Sequence, residues 1–316
     1  MKEVLIAKPR GFCAGVDRAL AIVEQALSKY GAPVYLKHSP VHNETVVEDL
    51  CRRGAILVQS IQEVPPGSHV VFSAHGSPPE DYQDAAHRNL HVIDAVCPLV
   101  TRVHNEARKY AREGRPVIIV GHSGHVEVKG TLGQAFEAQL GVHVVDPRHP
   151  DLDLDYAMSP YGVHQLDQDK VVVLTQTTLS QEDVAPAVEA VKRRFADVVV
   201  KNDICYATTN RQQAVKYLAS VCDLVLVVGS DESSNSLRLA EVARRENCTA
   251  YLIPKAQAIP WFIVRSAQKV GVTSGASTPE RLVEEVVDSL EREGGFTRRE
   301  VEVLEEDVHF KSLEGL

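Results

Sequence analysis

The stretch Val92-Ile93-Asp94-Ala95-Val96-Cys97-Pro98-Leu99-Val100 decides the fold of this chain. A short β-branched run ends at a cysteine and a proline then opens a helical stretch, the pattern of a buried parallel strand turning into a helix. The same order recurs twice, where Val4-Leu5-Ile6-Ala7 leads to Cys13 and Val198-Val199-Val200 leads to Ile204-Cys205-Tyr206. Domain-sized separations assign the three cysteines to three different modules. Their shared setting points to one shared metal site, because free N–H groups and the positive dipole end at a helix start favour thiolate, the ligand form. A lone cysteine more often packs as a small hydrophobe. Cys51, Cys222 and Cys248 lack the strand-to-helix setting and are read as packing residues. No C-x-x-C occurs, which sets aside a redox disulfide and a zinc ribbon.

Working outward, short β-branched runs alternate with amphipathic helical stretches along the whole chain, the signature of parallel sheets covered by helices. Strands are expected at 33–36, 55–58, 70–73, 92–95, 117–120, 142–145, 171–174, 224–228, 250–253 and 270–272. Helices are expected at 14–30, 44–53, 79–89, 100–113, 182–195, 212–221, 236–246 and 279–292. Asn43 reads as the cap of the second helix, and Ser277-Thr278-Pro279-Glu280 as the cap and first turn of the last. The economical fold class is α/β, with three pseudo-threefold-related modules built on parallel sheets. Their expected bounds are 14–96, 97–200, and 201–292 together with 1–13. The stretch from Asp146 to Asp169, with three prolines and alternating aspartates, reads as an irregular surface excursion. The charged tail, 293–316, is expected to lie over another module.

At 316 residues the chain can bury more than one core, and its formal charge of −9 excludes nucleic acid as the main partner. The start enters a strand at once and no apolar run could span a bilayer, so a cytoplasmic protein without a membrane partner is expected. Six cysteines in such a chain suit reduced thiols or metal ligands.

In open parallel sheets ligands bind beyond the carboxyl ends of the strands, so the residues just after each strand carry the functional information. Here they are polar: His42, His75, His122 and His125, Thr177-Thr178, Ser233-Ser234-Asn235, and Ser274 to Ser277. Imidazoles, hydroxyls and an amide beside helix starts make an anion site that a phosphate or diphosphate fits. Singly, each has a blander reading as a cap or surface residue. A P-loop is absent because no Gly-Lys-Ser/Thr follows Gly124, and no Gly-x-Gly-x-x-Gly follows the first strand, which argues against a nicotinamide cofactor.

Pro9-Arg10-Gly11-Phe12-Cys13-Ala14-Gly15-Val16, Val41-His42-Asn43, Ser73-Ala74-His75-Gly76, Asp94 to Val100, Gly121-His122-Ser123-Gly124-His125, Thr175 to Ser180, Asp203 to Arg211 and Ser233-Ser234-Asn235-Ser236 together resemble the 4-hydroxy-3-methylbut-2-enyl diphosphate reductases, the LytB family. The likeness runs in order and spacing from about residue 3 to about residue 285. It implies a trefoil of α/β modules around one central 4Fe-4S cluster, held by Cys13, Cys97 and Cys205 with one iron open. It implies a diphosphate bound by His42, His75, His125, Ser233, Asn235 and Ser277 with Ser234 beside them. Glu127 is implied as the proton-delivering acid and Thr177 as a residue that orders the substrate hydroxyl or a water. Glu127 itself is expected in a loop after the 117–120 strand, and Val126 stands where the family usually has proline. The implied reaction is reductive removal of the allylic hydroxyl to give isopentenyl and dimethylallyl diphosphate, the end of the methylerythritol phosphate route to isoprenoids. Its electrons would arrive singly from a ferredoxin or flavodoxin. A cluster-dependent hydro-lyase and a non-catalytic metal sensor are the alternatives that the residues alone leave open.

Overall fold

The structure, a computed structural model, describes residues 2–136, 141–159 and 169–313. Its strands are β1 (Glu3–Lys8), β2 (Val34–Lys37), β3 (Ala55–Val58), β4 (His69–Phe72), β5 (His91–Asp94), β6 (Val117–Val120), β7 (Val142–Val145), β8 (Lys170–Thr175), β9 (Asp197–Val200), β10 (Leu224–Val228), β11 (Thr249–Ile253), β12 (Lys269–Ser274) and β13 (Thr297–Glu302). Its α-helices are α1 (Ala14–Tyr30), α2 (Glu44–Arg52), α3 (Pro79–His87), α4 (Pro98–Arg112), α5 (Val126–Phe136), α6 (Pro150–Met158), α7 (Gln181–Arg194), α8 (Tyr206–Val221), α9 (Ser234–Arg245), α10 (Trp261–Val264) and α11 (Glu280–Gly294). The chain divides into two compact units. One comprises Met1–Asp17, Val41–Leu50 and Tyr206–Lys311, the other Arg18–Pro40, Cys51–Cys205 and Ser312–Leu316.

The strands form three sheets, ordered β11-β10-β12-β1-β13, β3-β2-β4-β5 and β7-β6-β8-β9, and every pairing is parallel. The first four positions of each sheet follow one plan. An edge strand is followed by its sequence predecessor, then by the next strand in the chain, then by a fourth. That fourth strand is β1, β5 or β9, and these are the strands that lead to Cys13, Cys97 and Cys205. The chain reverses direction across each sheet between the second and third positions, which is where open α/β sheets bind ligands. Those switch points lie between β10 and β12, β2 and β4, and β6 and β8, the strands that precede Ser233 and Ser277, His42 and His75, and His125 and Thr177.

Strands covered on both faces read as continuous apolar runs rather than alternating ones. In the five-stranded sheet Val4, Ile6, Leu226 and Val272 face Leu282, Val286 and Leu290 of α11. The alternate residues Leu5, Ala7, Val225 and Val227 face Leu218 of α8 and Leu239 and Ala243 of α9. The β6–β8 sheet is sandwiched likewise. Ile118, Val120 and Val173 meet α6 and α7, while Ile119, Val172 and Leu174 meet α4 and α5. Each such aliphatic side chain contributes about 1.5–3 kcal/mol by leaving water.

Three expectations differ from what is found. Residues 297–302, in the stretch expected to lie over another module, form β13 and pair with β1 in its own sheet. The strand was invisible because an exposed edge strand, Thr297-Arg298-Arg299-Glu300, carries charge in place of an apolar pattern. Within the expected excursion at 146–169, residues 150–158 form α6, with Pro150 in its first turn, acidic residues behind it, and Leu154 and Ala157 buried; residues 160–168 lie outside the described residues. Glu127 stands in the first turn of α5, not in a loop. Among the described residues no helix is long and apolar enough to cross a membrane.

Candidate active site

The thiols stand where strand becomes helix. Cys13 and Cys205 directly precede α1 and α8, Cys97 is the N-cap residue of α4, and all three are of intermediate exposure. In the second unit the amide of Cys97 donates to the carbonyl of Ala74 at 3.0 Å, which ties the Cys97 turn to the loop bearing His75. The amide of Cys205 donates to the carbonyl of Thr177 at 3.1 Å.

Thr177 in turn holds Glu127. Its amide donates to Glu127 Oε1 at 2.7 Å and its hydroxyl to Oε2 at 2.8 Å. Glu127 is only 3% exposed. Burial pushes its pKa from 4.5 up to about 7, against the two Thr177 bonds that favour the carboxylate and with a smaller push from the charge of Asp203. The group can therefore carry a proton near neutral pH. His125 Nδ1 accepts from the Glu127 amide at 3.3 Å, and the His125 ring meets that of His75 edge to face, with centroids 6.0 Å apart. The second unit thus gathers His75, His125 and Thr177 on loops beyond β4, β6 and β8 and Glu127 in the first turn of α5, with Cys97 and Cys205 beside them.

In the first unit the residues after β10 and β12 meet. Ser233 is the N-cap of α9, its hydroxyl accepting from the Ser236 amide at 3.3 Å. Asn235 Oδ1 accepts from the amide of Ala276 at 3.0 Å, and its Nδ2 donates to Thr208 Oγ1 at 3.3 Å. Ser277 Oγ lies 3.2 Å from Ser233 Oγ and 3.2 Å from the carbonyl of His42. His42, Ser233, Asn235 and Ser277 are therefore brought together, with Ser234 opening α9. Asn43 caps α2 through the Val46 amide as expected. Ser277 and Thr278 do not cap α11: its N-cap is Pro279, without a side-chain bond, and Thr278 Oγ1 donates to the carbonyl of Val228. Of the remaining cysteines, Cys248 is buried and Cys222 partly so, and burial pushes the Cys222 thiol up to about 12 and raises that of Cys248. Cys51 is exposed on α2, so it does not pack as expected.

Three buried polar residues were not singled out by the sequence. Asp203 accepts from the Thr175 amide and donates its own amide to Thr175 Oγ1, both at 3.2 Å, and burial lifts its carboxyl to about 6. Its place two residues before Cys205 was the available signal. His104 on α4 is 6% exposed, its Nε2 lacks a hydrogen-bond partner among the described residues, and burial followed by the charge of Arg108 lowers it to about 4. The ring fills the space beside Gly76, whose φ is +80°, and Gly130: a Cβ on Gly76 would stand 2.5 Å from His104 Cε1. Arg211, in the quoted Asp203–Arg211 segment, is completely buried.

Comparison with known proteins agrees with this construction. The LytB protein family model matches residues 4–291. A 4-hydroxy-3-methylbut-2-enyl diphosphate reductase of Nitrosomonas europaea is 47% identical over 294 residues, covering 92% of this chain and 88% of that protein. One from a Psychrobacter species is 48% identical over 314 residues, covering 98% and 95%. Among solved structures, the E-1-hydroxy-2-methyl-but-2-enyl-4-diphosphate reductase of Plasmodium falciparum superposes with a TM-score of 0.89 at 35% identity, over 99% of this chain and 95% of that one. A second, described as the terminal enzyme of the non-mevalonate pathway, gives 0.65 at 32% identity over 92% and 99%. Near-full-length identity at this level, on the same three-sheet α/β architecture, makes the chain a member of the LytB family.

Proposed function

We propose that this chain reduces 4-hydroxy-3-methylbut-2-enyl diphosphate, the substrate named for its relatives, to isopentenyl and dimethylallyl diphosphate, the terminal step of the non-mevalonate route. The observation that carries this reading is the buried Glu127 carboxyl. It holds a proton near neutral pH and is bonded through both oxygens to Thr177, whose carbonyl holds the amide of Cys205.

Replacing the allylic C–O bond by C–H takes two electrons and two protons, one proton leaving with the hydroxyl as water and one ending on carbon. A 4Fe-4S cluster on Cys13, Cys97 and Cys205 would supply the electrons one at a time and an open iron as Lewis acid. The donors suit it: three cysteines, each after the fourth strand of its sheet and at a helix start. Among the described residues no three His, Cys, Asp or Glu are gathered into a metal site. The cluster assignment therefore rests on donor chemistry, the repeated topology and the family resemblance.

The chain's own residues divide the remaining work. His42, Ser233, Asn235 and Ser277, with Ser234 beside them, and His75 and His125 supply donors to the diphosphate oxygens. Glu127 gives its proton to the departing hydroxyl, and the Thr177 hydroxyl donates to the carboxylate left behind. A small one-electron protein, a ferredoxin or flavodoxin, is the partner that such chemistry requires, and a cytoplasmic location suits both. Anaerobic turnover with and without a reduced one-electron donor tests the reading. Isopentenyl and dimethylallyl diphosphate form only with the donor, whereas loss of water from the substrate without it would make the chain a hydro-lyase.

A further inference from the structure

The family match ends at residue 291, and the chain beyond it reaches back to the loop that carries Cys13. The contact is made through Arg211 on α8, whose side chain is fully buried. Its Nε donates to the carbonyl of Gly11 at 3.0 Å, and its Nη2 to the same carbonyl at 2.8 Å and to that of Phe12 at 3.1 Å. Its Nη1 donates to the carbonyl of Ala207 at 3.1 Å. The side of the guanidinium facing the tail is met by Glu306, with Nη1–Oε2 at 3.1 Å and Nη2–Oε1 at 3.2 Å, and Glu306 Oε2 also accepts from Asn210 Nδ2 at 2.9 Å. Glu306 is nearly buried itself, its side chain 12% exposed.

The loop needs such a hold. Gly11 has φ +67°, a left-handed conformation, and its amide is held by Ser274 Oγ at 2.9 Å. The amide of Ala14 is held by the Tyr206 hydroxyl at 3.1 Å. Residues 11–14 thus hang on side-chain partners on both sides of Cys13, and Arg211 supplies those for two consecutive carbonyls. A buried guanidinium is stable only while its charge is met, and removing one member of a buried pair leaves the other uncompensated.

We propose that Glu306 is a positioning residue for the Cys13 thiol. Through Arg211 it fixes the carbonyls of Gly11 and Phe12, so the segment after the family match is a working part of the thiol site. The functional consequence, slower loss of the cluster, rests on Cys13 being a ligand; the positioning of Cys13 does not.

The test uses the full-length protein in both cluster-free and anaerobically loaded forms. In the cluster-free form the rates of alkylation of Cys13, Cys97 and Cys205 by iodoacetamide are followed by mass spectrometry. In the loaded form, loss of visible absorption is followed under an iron chelator. Glu306→Gln, which keeps shape and removes charge, is expected to speed Cys13 alkylation by roughly 10-fold or more with Cys97 and Cys205 unchanged, and to speed cluster loss. Glu305→Gln, an exposed neighbour, should match wild type. Should Glu306→Gln fail to fold, Glu306→Asp, which keeps the charge with a shorter reach, should give an intermediate Cys13 rate. A Cys13 rate equal to wild type, or all three thiols accelerating together as in general loosening, would overturn the proposal. A selectively faster Cys13 alongside a Cys13→Ser protein that keeps its cluster would leave the positioning intact and remove the ligand assignment instead.

Discussion

Glu127 shows how burial turns an ordinary side chain into a proton store. A solvated glutamate would be ionised at neutral pH, but one buried in the first turn of α5 and bonded to Thr177 keeps its proton to about pH 7. Glu127→Gln preserves the shape and cannot deliver the proton. It is expected to bind substrate while losing roughly 10²-fold or more in turnover, the scale of a positioned general acid; steady-state kinetics with a loaded cluster check this, and near-normal turnover would remove Glu127 from the reaction. The same shift makes a stability prediction. Between pH 4.5 and about 7 the folded state holds a proton that the unfolded chain has released, so this contribution is complete below 4.5 and is lost as pH rises through 7. Asp203 acts with the same sign over a lower range. Comparing wild type with Glu127→Gln isolates the first group: the wild-type advantage in denaturant unfolding should shrink by about 3 kcal/mol from pH 4 to pH 8. A difference that stays flat over that range would mean that burial does not raise the Glu127 carboxyl above its ordinary value.

At the scale of elements, most strands and helices were legible because parallel strands buried on both faces leave unmistakable apolar runs, as in Val117–Val120 and Leu224–Val228. The polar loops after those strands were legible for a related reason, since a sheet edge that binds an anion cannot be apolar. What escaped was governed by neighbours distant in sequence. α5 contains Gly130 and Gly133, poor helix formers that read as loop. In the fold a Cβ at Gly133 would stand 2.6 Å from Pro78 Cβ, and one at Gly130 would crowd Gly76 and His104, so close packing demanded glycines that local propensity would refuse. Glu127 was misplaced with the helix that holds it. His104 escaped because nothing in Val103-His104-Asn105 distinguishes a buried imidazole from a surface one. Gly76→Ala should cost about 2–4 kcal/mol, from the left-handed φ together with the clash on His104. Adding His104→Ala should return part of that loss, and thermal unfolding of the single and double variants measures the coupling. Strict additivity would show that the imidazole is not what Gly76 accommodates.

For the molecule as a whole, one strand plan used three times explains why cysteines follow the fourth-position strands while the residues proposed as anion donors follow the strands at the switch points. The donors proposed for the diphosphate are His42, His75, His125, Ser233, Asn235 and Ser277. Removing one should weaken substrate binding roughly 10- to 150-fold. A His75→Ala enzyme with wild-type KM and kcat would put the diphosphate elsewhere. The central claim is that Cys13, Cys97 and Cys205, and no other cysteines, hold one iron–sulfur cluster. Absorption and Mössbauer spectra of anaerobically purified wild type and the six single Cys→Ser variants test it most directly. The account predicts a 4Fe-4S signature in wild type that is lost or broken down in Cys13→Ser, Cys97→Ser and Cys205→Ser and kept in Cys51→Ser, Cys222→Ser and Cys248→Ser. An intact cluster in Cys97→Ser, or a colourless Cys222→Ser protein, would contradict it.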